Sequence, residues 1–109
     1  MWVVRYVDAA VSERQRIPVP ERNAMDNAVD KLEIFGPQLP YPHQSNVRGA
    51  DDLRELRPRA GRSPWRAFYR RIGDNFVIGA IGPEAEANPH GFRRAVRAAV
   101  TRLDGLNLR

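Results

Sequence analysis

The chain has no cysteine, so neither a disulfide framework nor a thiolate metal site is open to it. Histidine is scarce as well. His43 and His90 stand alone, too few to suggest zinc, and neither a metal nor a cofactor is expected. Lysine occurs once, as Lys31, against seventeen arginines. No apolar run approaches the roughly 20 residues that cross a bilayer. Arg5 and Asp8 interrupt the short apolar start, so no secretory leader is expected. These absences leave a globular protein with no membrane partner, expected in the cytoplasm.

What is present fits one domain: 109 residues suffice for one modest core, and residues 1–109 show no repeat, low-complexity segment or boundary. The formal net charge of +5 favours a polyanionic partner such as nucleic acid or an acidic protein. Genome base composition can inflate arginine, so the location of the charge is better evidence than its total.

Met1 to Val7 is β-branched and aromatic, which suits a strand. Asp8 is expected to cap a short helix from Ala9 to about Arg16. Ile17-Pro18-Val19-Pro20 must then leave helical geometry. A second helix is predicted from Pro20 or Glu21 to Phe35, with Val19, Met25, Ala28, Val29, Leu32 and Phe35 as one apolar stripe. Gly36-Pro37 stops it. Gln38 to Asn46 reads as irregular and Val47 to Asp52 as a loop.

Three strands are expected next: Leu53 to Pro58, Pro64 to Ile72 after an Ala60–Ser63 turn, and Phe76 to Ile81 after a Gly73-Asp74-Asn75 hairpin. The near-continuous apolar run of the last strand marks it as buried on both sides. A final helix is predicted from His90 to Leu103, with Asn88 as cap and Pro89 in its first position. The fold class is therefore α+β: strand–helix–helix–three antiparallel strands–helix, a small twisted sheet with helices packed on one face.

The stretch from Leu53 to Gly82 carries Arg54, Arg57, Arg59, Arg62, Arg66, Arg70 and Arg71 and no lysine. Strand alternation puts Trp65, Ala67, Tyr69 and Arg71 on one side and Arg66, Phe68, Arg70 and Ile72 on the other. Neither face is cleanly apolar, so one face should pack on helices while the other is concave and polar. A solvated surface paired with Glu55, Asp51, Asp52 and Asp74 explains single arginines. It explains the cluster of Arg57, Arg59, Arg62, Arg66 and Arg70 less well, because like charges at that density repel unless an anion neutralises them.

The order of elements, the segment Leu53-Arg54-Glu55-Leu56-Arg57, the strand Trp65-Arg66-Ala67-Phe68-Tyr69 and the connection Gly36-Pro37-Gln38-Leu39-Pro40 together resemble the RelE/ParE superfamily of bacterial toxins, in particular its phage-type HigB branch. The resemblance spans Met1 to about Leu103. It implies the toxin of a type II toxin–antitoxin system that cleaves messenger RNA, usually in the ribosomal A site, without a metal. It also implies a cognate antitoxin, often a helix-turn-helix protein encoded nearby. By the same resemblance Arg66 stabilises the phosphorane-like transition state, Arg57 is the basic position of the preceding strand, and Arg59 is a second phosphate contact. Two departures stand out: Pro83-Glu84 replaces a basic pair, and Phe92 replaces a catalytic tyrosine.

RNA cleavage by 2′-hydroxyl attack needs a base, a cation over the phosphate and an acid for the leaving oxygen. Arginine suits the second task and is a poor base. Proton transfer then falls to His43, His90, Tyr69 or Glu55, each with a plain alternative: a surface role for the histidines, sheet packing for Tyr69, an ion pair for Glu55. The candidate catalytic set is Arg57, Arg66 and His90. The candidate RNA contacts are Arg48, Arg59, Arg62, Tyr69, Trp65 and His43, with Trp65 and Tyr41 able to stack on bases. Two other readings remain: a ParE-like binder of a target protein such as DNA gyrase, or an impaired relative acting through its antitoxin.

Overall fold

The computed structural model describes residues 1–107. Its elements are β1 (Val3–Tyr6), α1 (Asp8–Arg16), α2 (Val19–Phe35), β2 (Gln44–Asn46), β3 (Arg54–Leu56), β4 (Trp65–Ile72), β5 (Asn75–Pro83) and α3 (Pro89–Asn107), with 3-10 turns at Gly36–Gln38 and Pro58–Gly61. One sheet runs β1-β5-β4-β3-β2. β1 lies parallel to β5 and the other pairs are antiparallel. The expected α+β plan is present, with one strand more. β2 replaces the end of the segment read as irregular, its polar Gln44-Ser45-Asn46 having little intrinsic β-preference and pairing only with β3.

The helices do not share one face, which corrects the expected layering. Ala10, Met25, Ala28 and Leu32 of α1 and α2 pack on Leu56, Ala67, Tyr69 and Ile78 of the sheet. Ala95, Ala99 and Leu103 of α3 pack on Phe68, Val77 and Ala80 from the opposite side. The strand alternation predicted for Trp65 to Ile72 therefore splits β4 between two cores rather than between a core and an open bowl.

Small residues bring α3 close. Phe68 pairs with Ala80 and Tyr69 with Ile78, which leaves Gly79 as the extra residue of a β-bulge. A Cβ at Gly79 would lie 2.8 Å from Leu103 Cγ, and one at Gly82 would collide with Ala95 Cβ. Arg102 of α3 donates to the Gly79 carbonyl at 2.9 Å and to both oxygens of Glu13 on α1. The Glu13 carboxylate also accepts the Ile81 N–H at 3.0 Å. β1 ends at Tyr6, so these side chains cover the edge of β5 that β1 leaves bare.

Asp8 is the first helical residue rather than a cap, and Val7 precedes it without a side-chain cap bond. Its charge still lies in the first turn, where the helix dipole favours it. The α2 stripe is narrower than predicted: Ala24, Met25, Ala28 and Leu32 are buried, whereas Val19 and Phe35 lie exposed at its two ends. Asn88 caps α3 as expected, its Oδ1 accepting the Gly91 N–H at 2.9 Å. α3 continues beyond Leu103 to Asn107.

Candidate functional site

The turn Pro58–Gly61 displays charge on an unusual backbone. Arg59 and Ala60 have φ of 55° and 56°, and Gly61 follows at 94°. A non-glycine residue pays about 1–2 kcal/mol in this left-handed region, so neighbouring contacts must hold the turn. Arg66 supplies them from β4. Its Nη1 donates to the carbonyls of Ser63 at 2.6 Å and Trp65 at 3.1 Å, and its Nη2 to that of Gly61 at 3.2 Å. Glu21, in the first turn of α2, ties the other side: Oε1 accepts from Ser63 Oγ and Oε2 from Arg59 Nη1, each at 2.7 Å. The Ser63 hydrogen bond, then that from Arg59, holds the Glu21 carboxyl below the ordinary carboxylate value.

Arg66 is 3% exposed. Burial lowers its guanidinium pKa, the nearby Arg57 charge acts in the same direction, and Glu55 and Glu84 oppose both. Among the described residues its Nε has no hydrogen-bond partner, and it lies 3.9 Å from Glu55 Oε1. That same oxygen accepts from Arg57 Nη1 at 2.8 Å and Ser45 Oγ at 3.0 Å. Arg57 Nε donates to the Pro42 carbonyl at 3.0 Å, and its guanidinium lies 5.4 Å from the centre of the Tyr41 ring. One buried carboxylate thus serves two guanidinium groups and leaves a net positive charge at the strand margin.

Arg57 also borders a groove of about 430 Å³ between α2 and the β3 margin. Ala24, Ala28 and Leu56 form its apolar floor. Asn23, Asn27 and Lys31 line the α2 side, and His43, Arg57 and Arg59 the sheet side. Among the described residues no carboxylate lines it. The His43 carbonyl accepts the Arg57 N–H at 2.9 Å, which extends the β2–β3 ladder and fixes the two residues side by side.

Of the residues predicted from sequence, the groove brings together Arg57, Arg59 and His43. Arg66 lies beneath the turn, linked to Arg57 through Glu55. Arg62 is exposed on the flank of the turn. Arg48 is exposed in the loop after β2, whose neighbours Gly49 and Ala50 border Arg70, Val100 and Asp104 instead. His90 is exposed in the first turn of α3, with its Nδ1 3.0 Å from Arg93 Nη2, and does not line the groove. Trp65 is half-buried against the core formed with α1 and α2. Tyr69 corrects the expectation of an RNA contact: it is 2% exposed, lies edge-on to Phe76 at 5.7 Å, and burial pushes its pKa up to about 12. Its ring is committed to packing. Arg70, counted in the basic cluster, pairs with Asp104 of α3 at 2.7 Å.

The two departures from the resembled toxins have structural occupations. Phe92 lies edge-on to Phe68, centroids 5.3 Å apart. Glu84 accepts the N–H groups of Glu86 and Ala87 and so shapes the turn into α3. The residues that sequence reasoning passed over are Glu21, Asn23, Asn27 and Lys31. Their signal was the spacing 23, 27, 31 beside Ala24 and Ala28, a polar row adjoining the apolar stripe. Among the described residues no cluster of histidine or carboxylate side chains is arranged to hold a metal ion, and no helix is long and apolar enough to cross a membrane.

The fold agrees with known structures at low sequence identity. A free-state mutant of the Escherichia coli toxin RelE superposes with a TM-score of 0.63 at 17% identity, covering 88% of this chain and 95% of that one. The intact E. coli RelBE toxin–antitoxin complex gives 0.61 at 15% identity over 77% and 98% of the two chains. The RelB–RelE antitoxin–toxin complex of Methanococcus jannaschii gives 0.60 at 8% identity over 78% and 95%. No curated protein matches the chain significantly in sequence. A family model, "Phage derived protein Gp49-like (DUF891)", matches residues 13–78, a span that runs from α1 through β3, the arginine turn and β4 into β5. With more than half of its length matched, and with a RelE-like fold, the chain belongs to the phage-derived Gp49-like protein family.

Proposed function

We propose that this protein is the toxin of a type II toxin–antitoxin system and inhibits translation as a messenger-RNA endoribonuclease acting on the ribosome. The observation that carries the reading is the carboxylate-free groove in which Lys31, His43, Arg57 and Arg59 surround an apolar floor, on a fold similar to RelE. A site with cations and no acidic ligand repels a divalent metal and attracts a phosphodiester. The RelB–RelE complexes among the similar structures support a cognate antitoxin, expected to be a helix-turn-helix protein.

In the reaction, the 2′-oxygen bonds to the adjacent phosphorus, the bond to the 5′-oxygen breaks, and a 2′,3′-cyclic phosphate and a 5′-hydroxyl remain. Arg57 and Arg59 hold the non-bridging oxygens, where planar guanidinium groups bind in pairs and stay charged. His43, beside Arg57, takes the 2′-hydroxyl proton as a neutral imidazole. His90 lies outside the groove in the first turn of α3, so the leaving oxygen takes its proton from water. Arg66 acts from below, holding the left-handed turn that aims Arg59 and adding positive potential beneath it. Arg62 and Trp65 flank the same turn as further RNA contacts, whereas Arg48 lies on the α3 side, away from this path.

A second reading draws on a specific observation. Arg57, Arg59 and Arg66 are already engaged by Glu55, Glu21 and backbone carbonyls, and Phe92 carries no hydroxyl. That arrangement suits a non-enzymatic toxin that binds a target protein such as DNA gyrase. Cell-free translation with purified protein separates the two. An endoribonuclease stops synthesis and leaves messages with new 5′-hydroxyl ends, whereas the binder leaves messages intact and blocks supercoiling by gyrase.

A further inference from the structure

α2 offers more to the groove than a wall. Asn23, Asn27 and Lys31 follow one another at four-residue intervals, so they stand in a row on one helix face. All three are exposed, and among the described residues none of their side chains is engaged by a protein hydrogen bond or ion pair. The polar groups on the opposite wall, in contrast, are largely occupied by protein partners: Arg57 by Glu55 and Pro42, Arg59 by Glu21. The open hydrogen-bonding capacity of the groove therefore lies, among the described residues, on two carboxamides and one ammonium of α2, with the His43 imidazole facing them from the other wall.

Carboxamides and phosphate-binding cations call for different parts of one ligand. A side-chain amide offers a donor and an acceptor in one plane, the pair that matches the N6/N7 edge of adenine bidentately. Unpaired RNA exposes such edges, and its bases rest their faces on flat side-chain surfaces. Ala24, Ala28 and Leu56 supply an apolar floor between the amides and the cations. The volume of about 430 Å³ accommodates one nucleotide with its phosphate.

We infer that this groove reads a nucleobase: one unpaired adenine of the RNA lies over Ala24, Ala28 and Leu56, its edge meets Asn23 and Asn27, and its phosphate is held by Lys31. The inference rests on the RNA-cleaving reading and deepens it, because it makes α2 the element that sets nucleotide preference. Arg57 and His43 do the chemistry at the strand margin, while α2 across the groove chooses which nucleotide is presented there.

The test uses binding, so that it survives the failure of cleavage. The full chain, isotopically labelled, is titrated with 2′-O-methylated oligoadenylate and oligouridylate, which cannot be cut. Three proteins are compared: wild type, the Asn23→Ala/Asn27→Ala double variant and Lys31→Ala. Alanine at exposed helical positions preserves the helix. The expected result is amide shifts centred on residues 23, 27 and 31, with oligoadenylate bound about tenfold more tightly than oligouridylate, an effect the size of one bidentate base contact. The double variant should lose that discrimination, and Lys31→Ala should weaken both ligands alike. Shifts centred elsewhere, no binding, or discrimination that persists in the double variant would overturn the inference. Should binding map as expected while wild-type protein cuts no message, the nuclease reading fails and the base-reading groove stands.

Discussion

Arg57 Nη1 and Arg66 Nε converge on a single oxygen of Glu55, at 2.8 Å and 3.9 Å. Glu55 is the only acid between these two guanidinium groups among the described residues, and it is itself 8% exposed. Its replacement by glutamine removes a buried charge while keeping the shape, and leaves two cations facing each other. Glu55→Gln is expected to lower stability by about 1–3 kcal/mol, the penalty for a charged hydrogen bond lost in the interior. Urea unfolding checks it, and an unchanged midpoint would remove Glu55 from its structural role.

Arg66 gives the second prediction. Three carbonyls at 61, 63 and 65 depend on its guanidinium. Arg66→Ala is expected to cost about 2–4 kcal/mol, as buried carbonyls lose their donors. Arg66→Lys should recover only part of this, since an ammonium cannot span the fork. By the resemblance Arg66 serves only the transition state, with no part in holding the fold. The structure changes that expectation: loss of toxicity in this variant must be read beside its melting curve.

Glu21 makes the anchoring of the arginine turn depend on pH. Its folded-state pKa lies below the ordinary 4.5, so the carboxylate stabilises the folded state at any pH above that ordinary value. The contribution falls away as pH drops through the depressed folded value. The stability difference between wild type and Glu21→Gln should be constant at neutral pH and shrink toward zero in acid. Chemical denaturation at a series of pH values checks this; a difference that grows on acidification would contradict it.

Gly82 tests how closely α3 is seated. A Cβ there meets Ala95 Cβ and lies 3.6 Å from Phe68 Cε2. Gly82→Ala should therefore push α3 off β5 and cost about 1–3 kcal/mol, the usual penalty of overpacking. Thermal unfolding reads it, and a neutral outcome would mean that the helix can shift freely.

Much of this architecture was legible in the residues. The periodic stripe of Met25, Ala28 and Leu32, the Asn88-Pro89 start of α3 and the apolar run of β5 each announce an element through a local rule. β2 was not legible, because Gln44-Ser45-Asn46 carries no strand signal and is a strand only through β3. Burial on both sides was legible for β5 from its apolar run, but the seat for α3 was not, since it is made by absent side chains at Gly79 and Gly82 rather than by a pattern. At the groove, Arg57 and Arg59 were singled out from charge and resemblance, and His43 as a candidate for proton transfer. The burial of Arg66 and the left-handed turn above it were not, because both depend on where distant carbonyls end up.

The account rests on Arg57 gripping the backbone of a message. The direct measurement is mapping of RNA 5′-ends after induced expression, wild type beside Arg57→Ala, with a melting curve to establish that the variant folds. New ends within coding sequences that appear with wild type and vanish with a folded Arg57→Ala protein are the predicted result. Growth arrest with intact transcripts, or the same ends in both strains, would contradict it.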